Sequence, residues 1–166
     1  MPSKKGIGWG TAGWTALLVA LLGTTAVWAE SLARETLTLG NGEQQYRLQV
    51  EVAATPQQRS RGLMERETLA ENAGMLFLYD SEQPGSSAYW MYRTRIPLDI
   101  AFVDSDGIIR SLKTMSPCRS ASSRDCPVYP AGAPFRAALE TNAGYFEKRE
   151  LTVGDRLDLS PWLEPD

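Results

Sequence analysis

The sequence predicts a mainly β domain, a compact sandwich or barrel with one or two short helices, preceded by an N-terminal signal helix. Three observations carry this expectation. Short apolar or alternating runs recur along the chain, turn residues separate them at regular intervals, and two pairs of runs flank glycine-bearing turns in the manner of hairpins.

The first hairpin spans residues 36–53. Thr36-Leu37-Thr38-Leu39 is a strand, Gly40-Asn41-Gly42 supplies the turn, and Tyr46, Leu48, Val50 and Val52 alternate with Arg47, Gln49 and Glu51. Thr55-Pro56-Gln57-Gln58 then begins a short helix. Thr55 can cap it, Pro56 suits its first position, Gln58 completes a capping box, and Gly62 ends it. Met75–Tyr79 and Ala88–Tyr92 are continuous apolar runs and read as buried strands. Asp99–Val103 and Ile108–Leu112 flank Asp104-Ser105-Asp106-Gly107, a second hairpin. Residues 114–134 hold four prolines and both cysteines and read as a long stapled loop. Phe135–Leu139 fits a strand or a short helix equally well. Tyr145–Arg149 suits a helical turn, and Arg156–Leu159 alternates as a closing strand.

The N-terminus carries the parts of a secretion signal. Lys4 and Lys5 are followed by an apolar run over Ala16–Leu22, and Val27 and Ala29 occupy the −3 and −1 positions of a cleavage site. The run is shorter than the ~20 residues that span a bilayer, so cleavage is preferred to an uncleaved anchor over residues 7–29. The expected location is the periplasm or the exterior. Without residues 1–29, the chain keeps 15 basic against 20 acidic residues, a net charge of −5. That balance disfavours nucleic acid and anionic membrane surfaces, so membrane contact is expected only through a retained N-terminal segment.

Export places Cys118 and Cys126 in an oxidising compartment, where a close pair reads as a structural disulfide rather than a C-x-x-C redox motif. Histidine is absent, which excludes Ser-His-Asp and Cys-His nucleophile pairs and imidazole zinc sites. Asp104-Ser105-Asp106-Gly107 lacks the ligand spacing of a calcium loop and reads as a turn. No metal site and no cofactor is expected.

Several separated blocks together resemble one family. They are Arg61-Gly62-Leu63-Met64, Gly74-Met75-Leu76-Phe77, Tyr89-Trp90-Met91 with Thr94, and Ile96-Pro97-Leu98-Asp99-Ile100-Ala101-Phe102-Val103-Asp104 with Gly107. Cys126-Pro127-Val128-Tyr129-Pro130, Leu139-Glu140, Gly144 and Gly154-Asp155 follow in order. Over roughly residues 45–160 the chain resembles the DUF192 family, also called UPF0127. The resemblance implies a compact β domain of jelly-roll-like sandwich type, often behind a signal peptide. It implies no established activity and hence no catalytic residues. One departure is that the family usually carries Lys-Asn where this chain has Tyr92-Arg93. The expected organisation is a signal over residues 1–29, a lead-in and first strand over 30–44, the family domain over 45–160 and a tail over 161–166.

The candidate binding surface is Arg59, Arg61, Arg66, Tyr92, Arg93 and Arg95, where polar and aromatic motif residues concentrate without a nucleophile. The arginines suit a small anionic ligand, against the plainer reading of a solvated helix face. Trp90 is expected in the core, because large aromatics dominate buried area. Asp99 and Glu140 sit inside apolar runs, where a charge must be paired or its pKa must shift. The expectation is a buried ion pair of one of them with Arg61 or Arg66. The rival is a set of carboxylates, Asp99, Asp104 and Glu140, used for acid–base chemistry. The leading functional expectation is an exported, non-catalytic domain that binds a small ligand or an envelope partner. The alternatives are an Asp/Glu-dependent hydrolase or lyase acting on an envelope glycan, and a structural or assembly module without a pocket.

Overall fold

The computed structural model describes residues 32–163, so the signal or anchor expected over residues 1–29 lies outside the described residues. In chain order the elements are β1 (Ala33–Gly40), β2 (Gln45–Ala53), α1 (Pro56–Arg61), β3 (Ala73–Gln83), β4 (Ala88–Trp90), β5 (Leu98–Val103) and β6 (Ile109–Met115), then β7 (Val128–Pro130), β8 (Phe135–Asn142) and β9 (Arg156–Leu157). Two 3-10 turns, Ser123–Asp125 and Glu147–Arg149, complete the set. The open choice at residues 135–139 resolves to a strand.

Seven strands form one mixed sheet in the order β6-β5-β8-β3-β2-β1-β9, and β4 and β7 form a separate ribbon. The mainly β expectation holds. The expected jelly-roll sandwich does not: the large sheet curls nearly into a barrel instead of packing against an equal partner. Its two edges meet where Ile108 bridges Arg156. There the Ile109 amide donates to the Asp155 carbonyl at 2.8 Å and the Leu157 amide to the Gly107 carbonyl at 2.7 Å. Gly107 has φ +79°, and a Cβ on it would lie 2.2 Å from the Leu157 carbonyl oxygen, so the seam needs a glycine there.

The local predictions hold for physical reasons visible in the coordinates. Thr55 accepts from the Gln58 amide, and the Gln58 side chain accepts from the Thr55 amide, which closes the capping box on α1. The β5–β6 hairpin turns on Asp104, whose carboxylate accepts from the Ile108 amide at 2.9 Å and pairs with Arg110 at 2.5 Å. The first hairpin differs from expectation. Gly40 pairs with Gln45, so the loop is four residues long, held by the Asn41 side chain accepting from the amides of Glu43 and Gln44.

Strand alternation divides the core into two layers. Leu76, Leu78, Ala101, Val103 and Leu139 belong to the cluster inside the curled sheet. Met75, Phe77, Ile100, Phe102 and Ala138 belong to the cluster on its outer face, beneath the β4–β7 ribbon. Gly74 lets β3 and β8 approach, because a Cβ there would stand 2.6 Å from the Glu140 carbonyl oxygen. Cys118 and Cys126 form the expected disulfide. It closes a short loop, which chain entropy values at roughly 2.5 kcal/mol. It also holds that loop against the segment after β4, where the Cys118 amide donates to the Thr94 carbonyl at 3.1 Å.

Arg93 has φ +56°, in the left-handed region that asparagine tolerates better than arginine. The asparagine that the resemblance implies at this place would suit the turn, so Arg93 acts on the backbone. Arg93→Asn is expected to raise stability by about 0.5–1 kcal/mol, because the exposed Arg93–Glu65 contact it removes contributes less than the backbone gain. Urea unfolding of the two proteins checks this, and a loss of stability would contradict it.

Candidate functional site

Helix α1, its exit at Arg61–Met64, strands β3 and β4, and the outer face of β8 enclose a cleft of about 220 Å³. Glu140 lies on its β8 side, with the aromatic side chains of Phe77, Tyr79, Tyr89 and Trp90 around it and Arg59 and Arg61 contributed by α1. Alternation along β8 sets the position of Glu140. Leu139 turns into the barrel, so Glu140 faces outward with Ala138. Its cross-strand neighbours are Met75 on β3 and Ile100 on β5, both apolar.

The walls form a connected aromatic cluster. Ala138 lies opposite both Phe77 and Phe102. Tyr89 sits edge-on to both rings, with centroids at 5.2 and 5.5 Å. The Tyr79 and Tyr89 hydroxyls are hydrogen-bonded at 2.7 Å. The Arg59 guanidinium lies 4.5 Å above the Tyr79 ring, donates to the Leu78 carbonyl at 2.7 Å and reaches the Ala54 carbonyl. Arg59 is thus locked in place by α1 and β3, whereas Arg61 at the end of the helix is exposed.

Glu140 is 5 % exposed, and among the described residues its carboxyl has no hydrogen-bond or ion-pair partner. Burial pushes its pKa up to about 8. Burial also raises the Tyr89 hydroxyl well above the usual phenol value, and Tyr79 less strongly. Near neutral pH the cleft therefore holds a protonated carboxyl, two linked phenols, the Thr94 side chain and two guanidinium cations. A neutral acid of this kind can both donate and accept.

The predicted residues fall into separate groups. Arg59 and Arg61 line the cleft. Arg66 makes a bidentate pair with Glu51 at 2.8 and 2.6 Å, and that pair holds the Glu51 carboxyl below the usual range. Arg93 and Arg95 meet Glu65, and Arg95 also meets Glu67 at 2.8 Å, around a different hollow of about 530 Å³ that includes Arg119. Tyr92 packs beside Trp90 and donates to the Ala121 carbonyl at 3.3 Å.

Three expectations need correction. Neither Asp99 nor Glu140 pairs with Arg61 or Arg66 among the described residues. Arg66 is taken by Glu51, and Asp99 is satisfied by the Thr114 hydroxyl at 2.7 Å and the Gly144 amide at 2.8 Å. Asp99 and Glu140 do not share a cleft, because Asp99 stands opposite Thr141 while Glu140 stands opposite Ile100, which puts their side chains on opposite faces. Trp90 is 45 % exposed rather than core, since Tyr89 takes the inward place on β4. The sequence reading missed Phe77 and Tyr79 as site residues. The signal available was the polar end of an apolar run, Tyr79, lying near a second aromatic run.

A folded-state pKa raised from 4.5 toward 8 makes a stability contribution that is complete below about pH 4.5 and is lost as the pH rises through 8. At about 1.4 kcal/mol per unit, the loss by pH 8 is on the order of 4 kcal/mol. Unfolding free energies measured at pH 5 and pH 8 should therefore differ by a few kcal/mol, and Glu140→Gln should flatten the difference. A native protein equally stable at both values would contradict this.

The chain is similar to solved structures of low to moderate sequence identity. One, from Sinorhizobium meliloti 1021 and provisionally described as a transcription regulator, is 34% identical with a TM-score of 0.68, covering 77% of this chain and 95% of its own. Another, a protein of unknown function from Novosphingobium aromaticivorans DSM 12444, is 28% identical with a TM-score of 0.67, covering 78% of this chain and 88% of its own. No curated protein matches. The family described as "DUF192: Uncharacterized ACR, COG1430" matches residues 37–159. The chain belongs to the DUF192 family.

Proposed function

We propose that this protein is an exported, non-catalytic binding domain that takes a small ligand in the cleft beside Glu140, in the periplasm or outside the cell. The observation that carries the reading is a carboxyl on a buried residue, without a protein partner among the described residues, that opens onto an aromatic-walled cleft. A carboxyl set in an apolar surround with its oxygens toward a cleft is placed to hydrogen-bond a ligand. Concave sites with a few convergent polar groups among aromatic walls are the usual form of small-molecule sites.

The glycan-hydrolase reading has less support. It needs two carboxyls roughly 5–9.5 Å apart across one cleft. Asp99 faces the other side of the sheet and Asp104 is committed to its turn and to Arg110. The regulator description of the Sinorhizobium neighbour is also not adopted, because a chain of net charge −3 is poorly suited to a phosphate backbone.

Titration of the isotope-labelled protein with a chemically diverse set of small molecules tests the proposal. Binders are expected to shift backbone amide signals at residues 59–64, 77–79, 88–94 and 138–141, and Arg61→Ala is expected to weaken those that carry an anionic group. Binders that map elsewhere, or none at all, would overturn it.

A further inference from the structure

The cleft has two poles. On the β8 side is Glu140, an acid between Met75 and Ile100 that pairs with no cation among the described residues. On the α1 side are two cations: Arg59, fixed over Tyr79, and Arg61, which has no ion-pair partner among the described residues. Each pole constrains what can occupy the space. A simple anion suits the arginines but meets a carboxyl deeper in. A simple cation suits an ionised Glu140 and the aromatic faces, but it must lie beside two guanidinium groups. An uncharged ligand leaves the arginines unused. A ligand with both charges, oriented with its cation inward, satisfies both poles.

We infer that the cleft takes a small zwitterion of the amino-acid class, with its ammonium group on the Glu140 carboxylate and its carboxylate on Arg61 and Arg59. This specifies the ligand for the binding role proposed above and rests on that reading. The ammonium supplies the partner that Glu140 lacks. A buried carboxylate is costly when alone and stable when paired and hydrogen-bonded. The adjacent Tyr79–Tyr89 hydroxyl pair, 2.7 Å apart, is a further acceptor for an ammonium proton. The cleft, at about 220 Å³, suits a molecule the size of a single amino acid rather than a chain of them.

The arrangement couples binding to a proton. The groups facing Glu140 are Tyr79 on β3, Tyr89 on β4, and Arg59 and Arg61 on α1, while β5 presents Ile100 and Phe102. Burial raises both phenols, so they keep their protons across the neutral range. Glu140 is the group that changes state. An ammonium ligand requires it ionised, so binding at pH 6 expels one proton from Glu140 and affinity rises with pH up to about 8.

Calorimetric titration of the protein with glycine, β-alanine and 4-aminobutyrate, beside propionate and n-butylamine, tests the inference. The three zwitterions differ in the distance between their charges, so one is expected to fit best. It should bind at least tenfold more tightly than either singly charged comparator. Its affinity should rise about tenfold per pH unit between pH 6 and 7.5. At pH 6 the measured heat should vary with buffer ionisation enthalpy by about one released proton. Glu140→Gln should weaken binding at least tenfold and remove the pH dependence, and Arg61→Ala should shrink the preference over n-butylamine. Propionate, n-butylamine or an uncharged compound binding in the cleft as well as the best zwitterion would overturn this inference and leave the binding-domain reading standing. Affinity that falls with rising pH would do the same. If no compound of any charge perturbs the cleft, both fall.

Discussion

Strand β8 lies in the interior of the seven-stranded sheet, with β5 on one side and β3 on the other, and every residue from Ala137 to Thr141 is buried. Its alternation decides what each layer of the protein contains. One face, with Ala137 and Leu139, fills the curled sheet. The other face offers Ala138 and Glu140 to the layer outside. The small side chain of Ala138 is flanked by Phe77 and Phe102, and Tyr89 lies against both. Two residues further along, the same face carries the Glu140 carboxyl, which has no protein partner among the described residues. The apolar packing of the outer layer and the polarity of the cleft are therefore set by consecutive outward positions on one strand.

The rest of the outer layer is held relative to that strand. The parallel pairing of β2 with β3 requires a crossover, and α1 lies in it. That connection carries Arg59 and Arg61 onto the cleft. The β4–β7 ribbon brings Tyr89 down onto the aromatic rings and leaves Trp90 partly exposed at the cleft. The disulfide and the Cys118 contact with Thr94 fasten the loop that follows β6 to the chain that follows β4.

Features set by neighbours in sequence are legible in the residues themselves. The capping box at Thr55–Gln58, the turn at Asp104–Gly107 and the Cys118–Cys126 pairing each depend on a few consecutive residues or on a short loop. Features set by distant contacts are not. Nothing near Gly107 announces that its carbonyl accepts from the Leu157 amide and helps close the sheet on itself. The six residues of β5 are all buried, so alternation of polarity cannot say which face carries Asp99. The same ambiguity in β8 hid that Glu140 faces away from Asp99. The expected ion pair failed for a related reason. Position in sequence does not say which arginine meets which carboxylate, and Glu51 on β2 claims Arg66. The general constraint was still correct: a carboxyl in an apolar run must be paired or shift its pKa. Asp99 found neutral donors, and Glu140 shifted.

The central claim is that Glu140 is neutral and unpartnered in the free protein near pH 7. Carbon-13 NMR of the glutamate side-chain carboxyls, with Glu140 assigned by comparison with Glu140→Gln, follows its titration directly. The account predicts a midpoint near pH 8, well separated from that of the exposed glutamates. A midpoint near the ordinary value of 4.5 would contradict it, since it would mean that a cation or a set of donors already holds Glu140 in its ionised form.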